Sequence, residues 1–172
     1  MKKEFRHIGN MSVPKRFSVE SLVKGRLEDA TSRNVYSFHL PKYYKSLVKS
    51  LTPVMSMKGL GFKEGFNLSE WLGDEKMPEH LSNVMFTTLK GSSSWHTDEG
   101  LGLLLNWMVY YDRHSFQIAS GLRFPTLITE DCSLNAVEIG LGDVFVFNAN
   151  RGHAWVSNWD CAFLQIPVQL SQ

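Results

Sequence analysis

Apolar residues recur along this chain with two different periods, and the change falls near Asn83. Before it, Tyr44, Leu47, Val48 and Leu51 follow the three-to-four-residue spacing of a helix with one buried stripe. Pro41 stands where such a helix can begin, because the N–H it lacks would meet no helical carbonyl there. Pro53 is expected to end it. Asn67, just ahead of Leu68-Ser69-Glu70-Trp71-Leu72, reads as the cap of a second, short helix. Residues 33–39 alternate and are aromatic or β-branched, which predicts a strand. Residues 1–32 are polar and broken by Gly9, Asn10 and Pro14, so they are read as irregular, either a wrapping arm or a partly ordered end. The stretch from Gly59 to Gly65 lacks any phosphate-cradling spacing and is read as a turn.

After Asn83 the runs become short, alternating or wholly apolar, with turn-forming clusters between them. Residues 84–89, 103–111, 122–129, 136–139, 143–147, 153–157 and 161–168 are expected to form seven strands. Strands in such succession, with no helices between them, form an antiparallel sandwich or jelly roll. The expected fold is therefore mainly β with flanking helices, a single domain over residues 1–172. In it, residues 1–82 are an N-terminal support covering the outer face of one sheet, and residues 83–170 are the sandwich or jelly-roll core.

Composition narrows the function more than the fold. With 43% hydrophobic and 20% charged residues the chain reads as an ordinary globular protein and not a disordered one. A net charge of +1 gives no case for a nucleic-acid partner. The basic helix face of Lys42, Tyr43, Lys45 and Lys49 is read as solvated surface. No run of about 18 apolar residues is present, so no membrane span is expected. Cys132 and Cys161 form neither a CxxC pair nor a disulfide framework, which suits a reducing, cytoplasmic setting. His7, His39, His80 and His114 have no partners at ligand spacing.

The chemistry concentrates in two stretches. Ser94-Trp95-His96-Thr97-Asp98-Glu99-Gly100 sets an imidazole and a carboxylate two residues apart, just beyond a Gly/Ser loop. The run from Gly142-Asp143 through Phe147-Asn148 to Arg151-Gly152-His153 delivers a second imidazole past a turn and a strand-like segment. Two neutral imidazoles and one carboxylate on one side of an ion leave its opposite positions open, as in non-haem Fe(II) oxygenases. Zinc is compatible with the same ligand types.

The order His96-x-Asp98, then Gly142-Asp143 with Phe147-Asn148, then His153, resembles the Fe(II)/2-oxoglutarate-dependent dioxygenase superfamily over residues 83–170. The resemblance implies a double-stranded β-helix with His96, Asp98 and His153 as Fe(II) ligands. It also implies 2-oxoglutarate and O2 as cosubstrates in the hydroxylation or demethylation of a small molecule or a protein side chain. It further implies a cation about ten residues after the second histidine, to pair with the far carboxylate of 2-oxoglutarate. Residues 159–165 contain none, and no Lys or Arg follows Arg151. Arg113, Arg123 and Gln165 remain as candidate anchors, with Asn106 and Thr88 as possible hydrogen-bonding neighbours. Trp95, Tyr110 and Arg151 are candidate substrate contacts, whereas Trp107 and Trp155 read equally well as core. The missing cation keeps two other readings open. One is an inactive binding or inhibitory module of the same fold; the other is a cupin-like metalloenzyme that does not use 2-oxoglutarate.

Overall fold

The computed structural model describes residues 5–17, 19–22, 35–39, 42–73, 85–90, 92–111, 125–130, 136–156 and 160–171. The fold is mainly β. Strands β1 (Phe5–Asn10) and β2 (Val35–His39) are followed by a 3-10 turn, Lys42–Tyr44, that runs into helix α1 (Lys45–Met57). Then come β3 (Leu60–Phe62), the short helix α2 (Leu68–Gly73), β4 (Met85–Lys90) and β5 (Leu103–Tyr111). Strands β6 (Thr126–Thr129), β7 (Val137–Glu138), β8 (Asp143–Asn148), β9 (His153–Val156) and β10 (Asp160–Leu170) complete the described chain.

Two antiparallel sheets result. The larger runs β1-β8-β5-β10-β4-β2, with β3 pairing the last residues of β10. The smaller runs β7-β6-β9 and is extended by one residue, His96, which bridges to His153. From β4 onward the chain crosses repeatedly between them: β4 in the larger, His96 in the smaller, β5 in the larger, β6 and β7 in the smaller. It then returns through β8 in the larger, β9 in the smaller and β10 in the larger.

Strand β5 reads Leu-Leu-Leu-Asn-Trp-Met-Val-Tyr-Tyr because both of its faces are covered, a condition that replaces alternation with a continuous apolar run. Its odd positions Leu105, Trp107 and Val109 join an outer cluster with Val144, Val146, Leu164 and Ile166. Leu47, Val48, Leu51 and Met55 of α1 cover that cluster. Its even positions Leu104 and Met108 join an inner cluster with Leu127, Phe145, Phe147, Trp155 and Phe163. The N-terminal helical segment thus packs on the outer face of the larger sheet, as its apolar stripe requires. No helix among the described residues is long and apolar enough to cross a membrane.

Four local expectations are corrected. Residues 5–10 are not an irregular arm: β1 is an edge strand on β8, with a bulge between His7 and Gly9 that absorbs the apparent breakers. Pro53 does not end α1 but lies inside it. The carbonyl of Lys49, which a residue 53 N–H would meet, instead accepts from the Thr52 hydroxyl at 2.8 Å. Lys45 is not on a solvated face. It is 7% exposed, donates to the Trp71 carbonyl at 2.6 Å near the C-terminal end of α2, and lies 4.8 Å over the Trp71 ring. Within 59–65, residues 60–62 form β3. Asn67 does cap α2, its side-chain oxygen accepting from the Glu70 N–H at 3.2 Å.

Candidate metal centre

The turn between β8 and β9 and the loop before β5 are laced together by backbone. The Asp98 N–H donates to the Ala149 carbonyl at 2.8 Å, and the Ala149 N–H donates to the Gly102 carbonyl at 2.8 Å. The Gly102 N–H donates to the Asn150 side chain at 3.0 Å. Lys63 holds the same loop from outside, its Nζ donating to the Gly100 carbonyl at 2.9 Å. His96 and His153 exchange both backbone hydrogen bonds, at 3.0 and 2.9 Å, so their side chains leave the small sheet on one face.

Glu130 sets the height of this turn. Its carboxylate accepts from the Gly152 N–H at 3.1 Å and pairs with Arg151 Nε at 2.9 Å. At Gly152 the Trp95 ring packs close over the backbone: a Cβ would stand 2.4 Å from it, so the ring would have to shift. At the start of β8, Gly142 has φ +86° and a Cβ would meet the Met11 carbonyl at 2.9 Å. Only glycine suits both conditions. Asp143 beside it accepts from the Gly140 N–H at 2.7 Å and from Asn10 at 3.1 Å, which ties β1 to the turn. His7, 3.2 Å from the same carboxylate, is exposed.

His96, Asp98 and His153 come together, each offering one ligand atom within 4.8 Å of the others. His153 Nε2 is 3.3 Å from one Asp98 oxygen and His96 Nε2 is 3.8 Å from the other. Each imidazole has its Nδ1 against a backbone carbonyl two residues earlier: Ser94 at 2.7 Å for His96, and Arg151 at 2.9 Å for His153. A carbonyl can only accept, so Nδ1 carries the hydrogen in both rings. In the neutral ring Nε2 is then the lone-pair nitrogen, which is the tautomer a metal needs. The ring of Phe147 meets His153 edge-on at 4.9 Å and fixes its plane. With no metal bound and the rings protonated at Nε2 as well, the Asp98 carboxyl is held below the usual carboxylate range, first by the hydrogen bond that His153 Nε2–H donates to it; burial opposes this and the charges of both imidazolium rings add to it. A small divalent ion bound at about 2.0–2.2 Å would set three facial ligands about 3 Å apart. The group is slightly more open than that, and its donor set of two nitrogens and one oxygen fits iron or zinc.

The other candidates scatter. Asn106 and Gln165 are cross-strand partners on the inner face, and Gln165 Nε2 donates to Asn106 Oδ1 at 2.8 Å. Asn106, fully buried, also donates to the Leu104 carbonyl at 3.1 Å. Trp95 stands beside His96, 54% exposed, over Gly152. Arg151 is engaged by Glu130. Tyr110 does not join them: a bulge opposite Ala162/Phe163 turns it toward the outer cluster, at the end of β5 away from the metal group. Trp107 packs in the outer cluster with its Nε1 donating to the Met11 carbonyl at 2.9 Å, and Trp155 packs in the inner one. The side chains of Arg113, Arg123 and Thr88 lie outside the described residues.

Sequence reasoning missed Glu130 and Thr129. Thr129 is the cross-strand partner of His153 on β6 and is 2% exposed. Among the described residues its hydroxyl is the one buried side-chain polar atom with no hydrogen-bond partner. Such a group costs about 1–3 kcal/mol when left unmet. Compared with models of protein families and with curated proteins, the chain matches none of either.

Proposed function

We propose that this protein is an Fe(II)-dependent oxygenase that uses 2-oxoglutarate and O2 to hydroxylate or demethylate a small molecule or a protein side chain. The observation that carries the reading is the ligand group itself. Two imidazoles with Nδ1 tied to carbonyls and one ionised carboxylate converge from a loop and a neighbouring strand. The strand order supports a double-stranded β-helix beneath it. The chain alternates between two antiparallel sheets, and the second histidine begins a strand of the smaller one. Iron bound there would supply activation of O2 coupled to oxidative decarboxylation of 2-oxoglutarate. The chain's own part is to hold three ligands on one side, leave the other side open, and keep water from it. Phe147 and the inner aromatic cluster provide a dry wall behind His153, and Trp95 is an exposed aromatic surface where a substrate would arrive.

A second reading is favoured by one observation. Where the resemblance implies a cation on the last strand, β10 presents Gln165, paired with Asn106. Neutral amides bind a dicarboxylate less tightly than a guanidinium does. A metalloenzyme of the same fold that does without 2-oxoglutarate would suit them.

Anaerobic purification with Fe(II), metal analysis and an assay for succinate separate these readings. The first expects iron uptake and succinate release from 2-oxoglutarate; iron uptake without 2-oxoglutarate binding favours the second. His96→Ala and Asp98→Ala are expected to lose iron while keeping the circular dichroism of the wild type. Unchanged iron content in both variants would refute the metal centre.

A further inference from the structure

Across the smaller sheet, His96, His153 and Thr129 stand in one row. His96 bridges His153, and His153 is paired directly with Thr129. Residues opposite one another in antiparallel strands send their side chains to the same face, with Cβ atoms about 5 Å apart. That face is the inner one, because Leu127 and Trp155, the next pair along β6 and β9, are both in the inner cluster. Thr129 therefore stands on the same face as the metal ligands, beside His153, with its hydroxyl unmet. A hydroxyl that needed no partner there would be replaced without loss by the isosteric valine. A carboxylate oxygen reaching this hydroxyl would supply the partner it lacks.

The opposite wall says what the ligand looks like. Trp155 and Phe163 stack with centroids 4.7 Å apart, joining the two sheets. Two residues from Trp155 toward the metal lies His153. Two residues from Phe163 in the same direction lies Gln165, with Asn106 beside it. A ligand between these walls meets the metal group and a hydroxyl on one side and a carboxamide pair on the other. That set suits a small acid rich in oxygen acceptors.

Resting on the metal centre proposed above, we infer that Thr129 is a ligand-binding residue. Its hydroxyl donates a hydrogen bond to a carboxylate oxygen of the small acid held at the metal. Titration calorimetry tests this without turnover, using protein loaded with manganese(II) and 2-oxoglutarate as the probe. Thr129→Val is expected to weaken 2-oxoglutarate binding about tenfold, or about 1.4 kcal/mol. Manganese affinity should stay the same, and the melting temperature of the metal-free variant should equal or exceed that of the wild type. Thr129→Ser should restore binding to within about twofold of the wild type, since it returns the donor. Wild-type affinity in Thr129→Val overturns the inference, and so does an equal loss in both variants accompanied by weaker manganese binding. Wild-type protein that takes manganese but not 2-oxoglutarate overturns it together with the cosubstrate, leaving the metal centre standing. Protein that takes no manganese overturns the metal centre as well.

Discussion

The two faces of the larger sheet are built from the same strands and differ in almost everything else. The outer face offers Leu105, Trp107, Val144, Val146, Leu164 and Ile166 to α1, a mostly aliphatic surface under an aliphatic helix stripe. The inner face offers Phe145, Phe147 and Phe163 to Trp155 and interrupts them with Asn106 and Gln165. Close-packed aliphatic surface gives up most when atoms are removed, because nothing can flow in to replace them. An aromatic wall with a polar strip can instead orient groups: Phe147 braces the His153 ring, and the amide pair faces the space beside it. One face of the sheet thus anchors the helix, and the other sets the plane of the His153 ring.

Truncation on each side would break or sharpen that division. Leu51→Ala, at a fully buried position of α1, is expected to cost about 2–5 kcal/mol in urea unfolding. Metal affinity should remain as in the wild type at temperatures where the variant is folded. Phe147→Leu should do the reverse: about 1 kcal/mol of stability, but a several-fold loss of metal affinity because the His153 ring loses its edge contact. Equal effects of the two variants on metal binding would mean that the faces are not separable.

A smaller effect is expected where the ligand-bearing segments touch. Gly152→Ala places a methyl group on the Trp95 ring, which must swing away. Trp95 is exposed and free to do so, and Gly152 has no positive φ to make alanine strained. Unfolding stability should fall by no more than about 1 kcal/mol. Metal affinity should fall by a few-fold, since Trp95 adjoins His96 in the chain. Unaltered metal affinity would show that the contact serves only the surface.

How much of this was legible in the sequence follows the same division. Strand β5 was readable to its end residues, since a short apolar run with aromatic residues, entered from Gly100 and Gly102, suits a strand covered on both faces. The α1 stripe was readable, but its end was not. Whether Pro53 stops a helix depends on whether the orphaned Lys49 carbonyl finds another donor, and Thr52 supplies one. Strand β1 was hidden because it is held by a partner more than 130 residues away and its bulge falls on Gly9, which reads as a breaker. Lys45 looked solvated because nothing local announces that the end of α2 will fold over it. That His96, Asp98 and His153 would come together could be expected from their order, while the position of Thr129 beside His153 could not. Its place beside His153 is a matter of register between β6 and β9, which no spacing along the chain encodes.

The smallest expected effect concerns acid. In metal-free protein the Asp98 carboxyl titrates below its ordinary value, chiefly through the hydrogen bond to His153. A carboxyl lowered on folding adds stability that is fully present above the unfolded-state value of about 3.9 and is lost as pH falls through the folded value. Asp98→Asn removes that contribution at every pH. The stability gap between wild type and variant should therefore close as the solution is made more acidic than about pH 4. Because Asp98 is partly exposed, the gap should be modest throughout. Added manganese should widen it at neutral pH alone, since the ion binds only the wild-type ligand set and is displaced by protons in acid. A gap that grew below about pH 4 would mean that the carboxyl is strained against its neighbours in the folded state, and the three side chains would then be held together by their loops and not by their own charges.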